Sequence, residues 1–334
     1  MRAAVVVGQG QLEVREVRAP EADGRALVRI DQGGLCGTDV KIVSGAIAVR
    51  RPVVLGHEMT GRIERTGSRG LFAVGGRVLI NPSTSCGHCD RCRRDLAHLC
   101  GNGVLLGRDA DGGFAEYAAI DEANLHRIPD SISKDEAAVL QVLATCVHAQ
   151  AMVNLGASDA AVVVGLGVAG LLHVQLLRAR NVAPIVAVTR SAWKRDLALR
   201  MGATDVADPA EAVEVVERAT GGRGADIAIE CAGTQETLAQ SIGLAGTGGT
   251  VVAFGITTPV ANGVPSYECY FKELTIVSPR AARARDYEQA VSLVAGRRLD
   301  IGPLVTARFP LAKASDALAA CGDPDQLKVV LDIG

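Results

Sequence analysis

Four cysteines packed into one short stretch, Cys86, Cys89, Cys92 and Cys100, give the chain its sharpest chemical signal. Thiolates at that spacing can close a tetrahedral shell around zinc and leave no position for substrate. Such a site staples a loop and performs no reaction. The flanking Gly87, His88, Asp90, Arg91, Arg93 and Arg94 are polar, which argues against four unrelated core cysteines. His88 and His98 fall inside the loop and read as surface residues rather than ligands.

A second set is split along the chain. Cys36 lies in Gly-Leu-Cys-Gly-Thr-Asp, and His57 with Glu58 lies further on in Gly-His-Glu-Met-Thr-Gly. Thiolate, imidazole and carboxylate are all zinc-ligand types, and fewer than four protein ligands would leave room for a substrate. Thr38 and Asp39 also suit the N-cap of a helix beginning at Val40.

The third signal is Gly165-Leu166-Gly167-Val168-Ala169-Gly170, directly after the apolar stretch 161–164. Glycines there permit a tight turn and close approach of the backbone to a pyrophosphate, which meets the amides at the N-terminus of the following helix. An NAD site places a carboxylate about 20 residues onward, on the ribose. Here Thr189, Arg190 and Ser191 stand in that region, with Lys194 and Arg195 behind them. Hydroxyls and cations without a carboxylate suit a 2′-phosphate, so the reading favours NADP over NAD; a solvated basic loop is the plainer alternative.

These residues need positioning elements. The stretches 26–30, 61–67, 76–80 and 114–120 are short, β-branched or alternating, and bounded by Gly or Pro, so the first part reads as a β-rich domain. A helix is expected through Thr-Cys-Val-His at 145–155, and from residue 161 apolar strands alternate with helical stretches, the pattern of βαβ units and a parallel sheet. The final Leu-Lys-Val-Val-Leu-Asp-Ile-Gly is a strand able to pack back on the first domain. With 334 residues, two domains are expected. A net charge of −2 argues against nucleic acid and anionic membranes as partners. The first residues lack the features of a secretory signal and no apolar run is long enough to span a bilayer, so the cytoplasm is expected.

Taken in order, GLCGTDVK, VLGHEMTG, the four-cysteine loop, DGGFAEYAAI, the Gly-rich turn, GADIAIECAG and KELTIV resemble the zinc-containing medium-chain dehydrogenase/reductase family. The resemblance implies an α/β architecture: a GroES-like β-rich catalytic domain (residues 1–142 and 279–334, with a structural-zinc lobe at 86–100) and a Rossmann domain with a doubly wound parallel sheet (143–278). It implies two zinc ions per chain and a nicotinamide cofactor on Gly165, Gly167, Val168, Ala169, Gly170, Gly255 and the Thr189–Arg195 region, in a homodimer or homotetramer. Cys36 and His57 would ligate the catalytic zinc, Glu58 would sit behind it or join it, and Asp39 would orient His57. Thr38 would take the proton of a substrate alcohol. Lys41 stands where many relatives carry a relay histidine, and Gln141 stands at the third-ligand place, with Cys146 as its rival. The implied activity is hydride transfer between NAD(P) and the hydroxyl or carbonyl of a polyol, sugar, amino alcohol or other small alcohol. A zinc-free quinone or enone reductase and a silent zinc-binding homologue are the alternatives. Arg280, Arg283 and Arg285 are offered as contacts for an anionic substrate group, against the plainer reading of a solvated face.

Overall fold

The computed structural model describes residues 1–256 and 263–334. In chain order the first elements are β1 (Arg2–Gly8), β2 (Gln11–Glu16), β3 (Ala26–Gly34), α1 (Gly37–Ser44), β4 (Val53–Val54), β5 (Glu58–Arg65), β6 (Arg77–Ile80), α2 (Asp90–Arg93), β7 (Tyr117–Ile120), β8 (Leu125–Arg127) and α3 (Lys134–Ala151). Next come β9 (Ala161–Val164), α4 (Val168–Ala179), β10 (Ile185–Val188), α5 (Ala192–Arg200), β11 (Asp205–Ala207), α6 (Ala212–Thr220), β12 (Ala225–Glu230), α7 (Gln235–Leu244), β13 (Ala245–Ala253), α8 (Ser266–Phe271) and β14 (Thr275–Val277). The chain ends in α9 (Ala284–Ala295), β15 (Val305–Pro310), α10 (Ala314–Cys321) and β16 (Lys328–Asp332). Short 3₁₀ turns interrupt this order.

Two compact units result: Met1–Ala144 with Ala281–Arg297 and Ile301–Gly334, and Thr145–Arg280 with Arg298–Asp300. In the first, β15-β16-β3-β5-β6-β8 form a sheet to which β7 adds through β3, and β2-β1-β4 form a smaller one. The final strand β16 pairs antiparallel with β3, placing Val330 opposite Gly34. Its core is aliphatic (Ile30, Leu55, Met59, Ile80, Leu331), with Phe114 as its one fully buried phenylalanine ring.

The second unit is a parallel sheet in the order β11-β10-β9-β12-β13-β14. Its central strands are buried on both faces, which explains their unbroken runs of Val, Ile and Ala. The sheet order reverses direction between β9 and β12, the switch point at which such sheets bind ligands.

The helix expected at 145–155 instead spans Lys134–Ala151. A reciprocal cap starts it early: the Ser133 hydroxyl accepts from the Glu136 amide, and the Glu136 carboxylate accepts from the Ser133 amide at 2.7 Å. Among the described residues, no helix is long and apolar enough to cross a membrane.

Candidate active site

Cys36 is the residue at which β3 becomes α1, and it caps that helix itself. Its Sγ accepts from the Thr38 amide at 3.2 Å, while Asp39 Oδ2 accepts from the Cys36 amide at 3.0 Å. The cap expected at Thr38 or Asp39 therefore sits earlier, because a sulfur with extended backbone does the work of a hydroxyl. Gly56 turns the chain with a φ of 101° and delivers His57 to the start of β5. His57 Nε2 then lies 3.1 Å from Cys36 Sγ, and its Nδ1 lies 3.3 Å from Asp39 Oδ1.

Donor atoms of Cys36, His57 and Glu58 fall within 4.8 Å of one another. Burial works against a charged His57, but the Cys36 thiolate and the Asp39 carboxylate outweigh it and hold its pKa well above the ordinary value. A cation is what this buried pocket of anions calls for. A soft thiolate, an imidazole held from behind by a carboxylate and a third oxygen donor form a set that fits zinc.

Glu58 is bound to Lys328: Nζ donates to Oε2 at 2.6 Å and to the Leu35 carbonyl at 3.0 Å. Gln141, nearly buried on α3, hydrogen-bonds the hydroxyl of Tyr287 on α9. Burial pushes the pKa of that hydroxyl above its ordinary value, and the Gln141 contact works the other way. The Tyr287 ring stacks on His126, centroids 4.8 Å apart. Cys321 also lies in the electrostatic neighbourhood of Cys36, Asp39, Glu58 and Lys328, and burial pushes its thiol up to about 12. Lys328, Tyr287 and Cys321 had no sequence signal beyond a lysine opening an otherwise apolar strand.

The second cluster lies on α2 and its flanking turns. The Sγ separations Cys86–Cys92, Cys89–Cys92, Cys89–Cys100 and Cys86–Cys100 are 4.0, 3.5, 3.8 and 3.6 Å. A zinc–sulfur bond of about 2.3 Å gives a tetrahedral edge of about 3.8 Å, so the sulfurs stand where a shared ion would hold them. The amides of His88 and Cys89 pull the Cys86 thiol down to about 5. His88 is exposed and its Nδ1 contacts the Cys86 carbonyl, whereas His98 is half-buried. Asp95, in the same loop, pairs with Arg283 at 3.5 Å and Arg285 at 3.0 Å. Two of the three arginines offered to an anionic substrate are thus engaged with the lobe, and Arg280 is exposed.

In the second unit, Gly165 has a φ of 92° and a Cβ there would stand 2.8 Å from the Ala232 amide nitrogen. A Cβ on Gly170 would stand 2.0 Å from the Gly165 carbonyl oxygen. Gly167 caps α4, and among the described residues a Cβ there would meet no atom within 4 Å. Gly255 closes on Gly233 beside Glu230. At the end of β10, Arg195 donates to the Thr189 carbonyl at 2.7 Å and pairs with Asp208 at 3.4 Å. Lys194 lies over the Trp193 ring, and Arg190 is exposed. Arg195 is therefore tied to the loop's own structure, and Arg190 is the more accessible cation.

Residues 22–130 match the alcohol dehydrogenase GroES-like domain, and residues 168–296 match the zinc-binding dehydrogenase family. A 2-dehydro-3-deoxy-L-galactonate 5-dehydrogenase from Pseudoalteromonas atlantica is 29% identical, covering 99% of this chain and 98% of its own. An L-threonine 3-dehydrogenase from Bacillus licheniformis is 30% identical over 85% of this chain and 84% of its own. A solved zinc-binding dehydrogenase from Sinorhizobium meliloti, bound to NADP, is 33% identical with a TM-score of 0.92, over 99% of this chain and 98% of that one. With matches of this extent joined to two zinc-type ligand sets and a dinucleotide turn, the chain belongs to the zinc-containing medium-chain dehydrogenase/reductase family and is a nicotinamide-dependent dehydrogenase.

Proposed function

We propose that the chain is an NADP-preferring dehydrogenase of small polar alcohols, such as polyols, sugar-derived acids or amino alcohols, with zinc on Cys36, His57 and Gln141 and a second zinc on the four cysteines. The observation that carries this reading is the approach of Cys36 Sγ to His57 Nε2 at 3.1 Å, a thiolate and an imidazole that together leave coordination positions open. The unit around β3 and β5 serves as the catalytic domain, and the parallel-sheet unit as the cofactor domain. Relatives named for a sugar acid and for L-threonine support a polar hydroxylated substrate. A neighbour solved with NADP and the exposed Arg190 at the end of β10 support the coenzyme preference, the nearby Asp208 carboxylate being engaged by Arg195.

When bound, zinc supplies Lewis acidity to the substrate oxygen and the nicotinamide accepts the hydride. Thr38, in the first turn of α1, accepts the substrate's hydroxyl proton as its own hydroxyl proton passes outward to solvent, and Lys41, one turn further on, flanks that route. The carbon-bound hydrogen leaves as hydride with its electron pair, and a carbonyl results. Asp39 fixes the His57 ring. An amide of Gln141 turned toward the Tyr287 hydroxyl leaves its carbonyl oxygen for the metal.

The compartment proposed is the cytoplasm, since Cys86, Cys89, Cys92 and Cys100 are grouped as reduced thiols placed to hold a metal. The edge strand β14 and the exposed Tyr267, Tyr270 and Phe271 on α8 support a homo-oligomer formed with a second copy. A scan of polyols, sugar acids and amino alcohols with both coenzymes tests the assignment. Turnover is expected with NADP, and Thr189→Asp is expected to reverse the preference. Higher kcat/KM with NAD in the unmodified enzyme overturns the coenzyme reading. Quinone turnover by metal-free protein, or no turnover at all with both sites loaded, overturns the reaction.

A further inference from the structure

Three strands of one sheet meet behind the candidate zinc ligands. Gly34 ends β3 directly opposite Glu58, the first residue of β5, and its other neighbour across the sheet is Val330 of β16. A Cβ at Gly34 would come within 2.8 Å of Glu58 Oε2 and 3.3 Å of Lys328 Cδ. The missing side chain is the slot through which Lys328 crosses from β16 to Glu58. Both side chains are 3% exposed, and the ammonium is held at 2.6 Å by the carboxylate and at 3.0 Å by the carbonyl of Leu35, the residue before Cys36.

We propose that Lys328 is a positioning residue that keeps Glu58 out of the coordination shell of the metal held by Cys36 and His57. This rests on the assignment of that zinc site above. The Glu58 carboxylate is close enough to those donors to join them, and an anionic oxygen in a buried site binds the nearest unopposed cation. Lys328 is the competing cation. With the thiolate of Cys36 and the carboxylates of Glu58 and Asp39 opposed by Zn²⁺ and one ammonium, the buried charges balance. Without Lys328 one negative charge is left over and Glu58 has lost its paired cation, so the metal becomes the nearest cation its carboxylate can approach. A second anionic ligand would fill the position needed by substrate and weaken the Lewis acid.

The sign of one measurement tests this. Zinc affinity at this site is read by competition with a chelator, with the four-cysteine zinc retained, alongside the visible spectrum of cobalt-exchanged enzyme. Breaking a merely structural contact next to a ligand loosens the metal. Lys328→Met is instead expected to tighten it by about tenfold, the scale on which such neighbours act, and to change the cobalt bands as Glu58 enters. Lys328→Arg should return affinity toward that of the unmodified enzyme. Lys328→Met combined with Glu58→Gln should lose the tightening. Gly34→Ala, at a position of ordinary backbone φ, crowds the pair without removing either charge and should tighten zinc in the same direction should Lys328→Met fail to fold. Looser or unchanged zinc in both Lys328→Met and Gly34→Ala, or tightening that survives Glu58→Gln, overturns the proposal. Equal zinc content in Cys36→Ala and unmodified enzyme would instead overturn the site assignment.

Discussion

The two cysteine-bearing clusters are built in opposite ways. In the lobe all four sulfurs come from one loop, and their separations already match the edges of a metal-sulfur tetrahedron. Around Cys36 the donors come from the ends of different strands, and their neighbours lie on α3, α9 and β16. A loop whose donors are close in sequence loses little chain entropy in closing around an ion. A site assembled by a sheet leans on the fold and can leave a position open. The lobe should therefore report on stability and the strand-built cluster on turnover.

That division can be broken experimentally, most strongly at His57. His57→Ala should lower kcat/KM by at least about a thousandfold, since Lewis-acid catalysis is worth several kcal/mol, while moving the thermal midpoint by only a few degrees. Steady-state kinetics and calorimetry on one preparation would check this, and a collapse of the midpoint would erase the distinction. Cys100→Ser should do the converse. A structural zinc contributes folding energy directly, so the variant should lose one metal and about 5 °C or more of its midpoint. Molecules that remain folded should keep measurable turnover; complete inactivity at intact Cys36 zinc would show that the lobe takes part in the reaction.

The smallest effect fixes the pH at which the comparison is fair. Burial holds His126 at about 4 and His173 at about 3, and neither belongs to a cluster. Their depressed pKa values favour the fold above the unfolded histidine value near 6.5, and that advantage is lost as pH falls from there toward 4 and then 3. Each protonation is expected to remove up to about 1.4 kcal/mol per pH unit in that window. Urea unfolding at pH 7 and pH 5 should show the loss in the unmodified protein and a flatter response in His126→Gln. Equal slopes in the two proteins would assign the acid sensitivity elsewhere.

What could be read from the sequence follows the same contrast. The four-cysteine loop and the Gly-rich turn were legible because their parts are adjacent along the chain. The strands around 26–30 and 76–80 declared themselves by turn residues and branched side chains. Cys36 and His57 were legible mainly through resemblance, because no local rule says that the end of one strand meets the start of another. The expected helix at 145–155 overlaps α3, but its start at Lys134 was not anticipated although Ser133 and Glu136 carry the spacing of a reciprocal cap. Lys328 and Tyr287 were not legible: a lysine 270 positions from its partner is an ordinary surface residue until β16 is seen beside β3.

Asp95 has a further consequence. It holds a left-handed φ of 59° between Cys92 and Cys100, and its carboxylate reaches the two arginines at the start of α9. That helix carries Tyr287, which grips Gln141. The loop, α9 and α3 are thus connected in series by one exposed charged pin and one hydrogen bond. Whatever draws the cysteine loop tight also sets where the pin stands. An ion with no reaction of its own would then act as the tensioner of a mechanism whose working end lies at the other zinc.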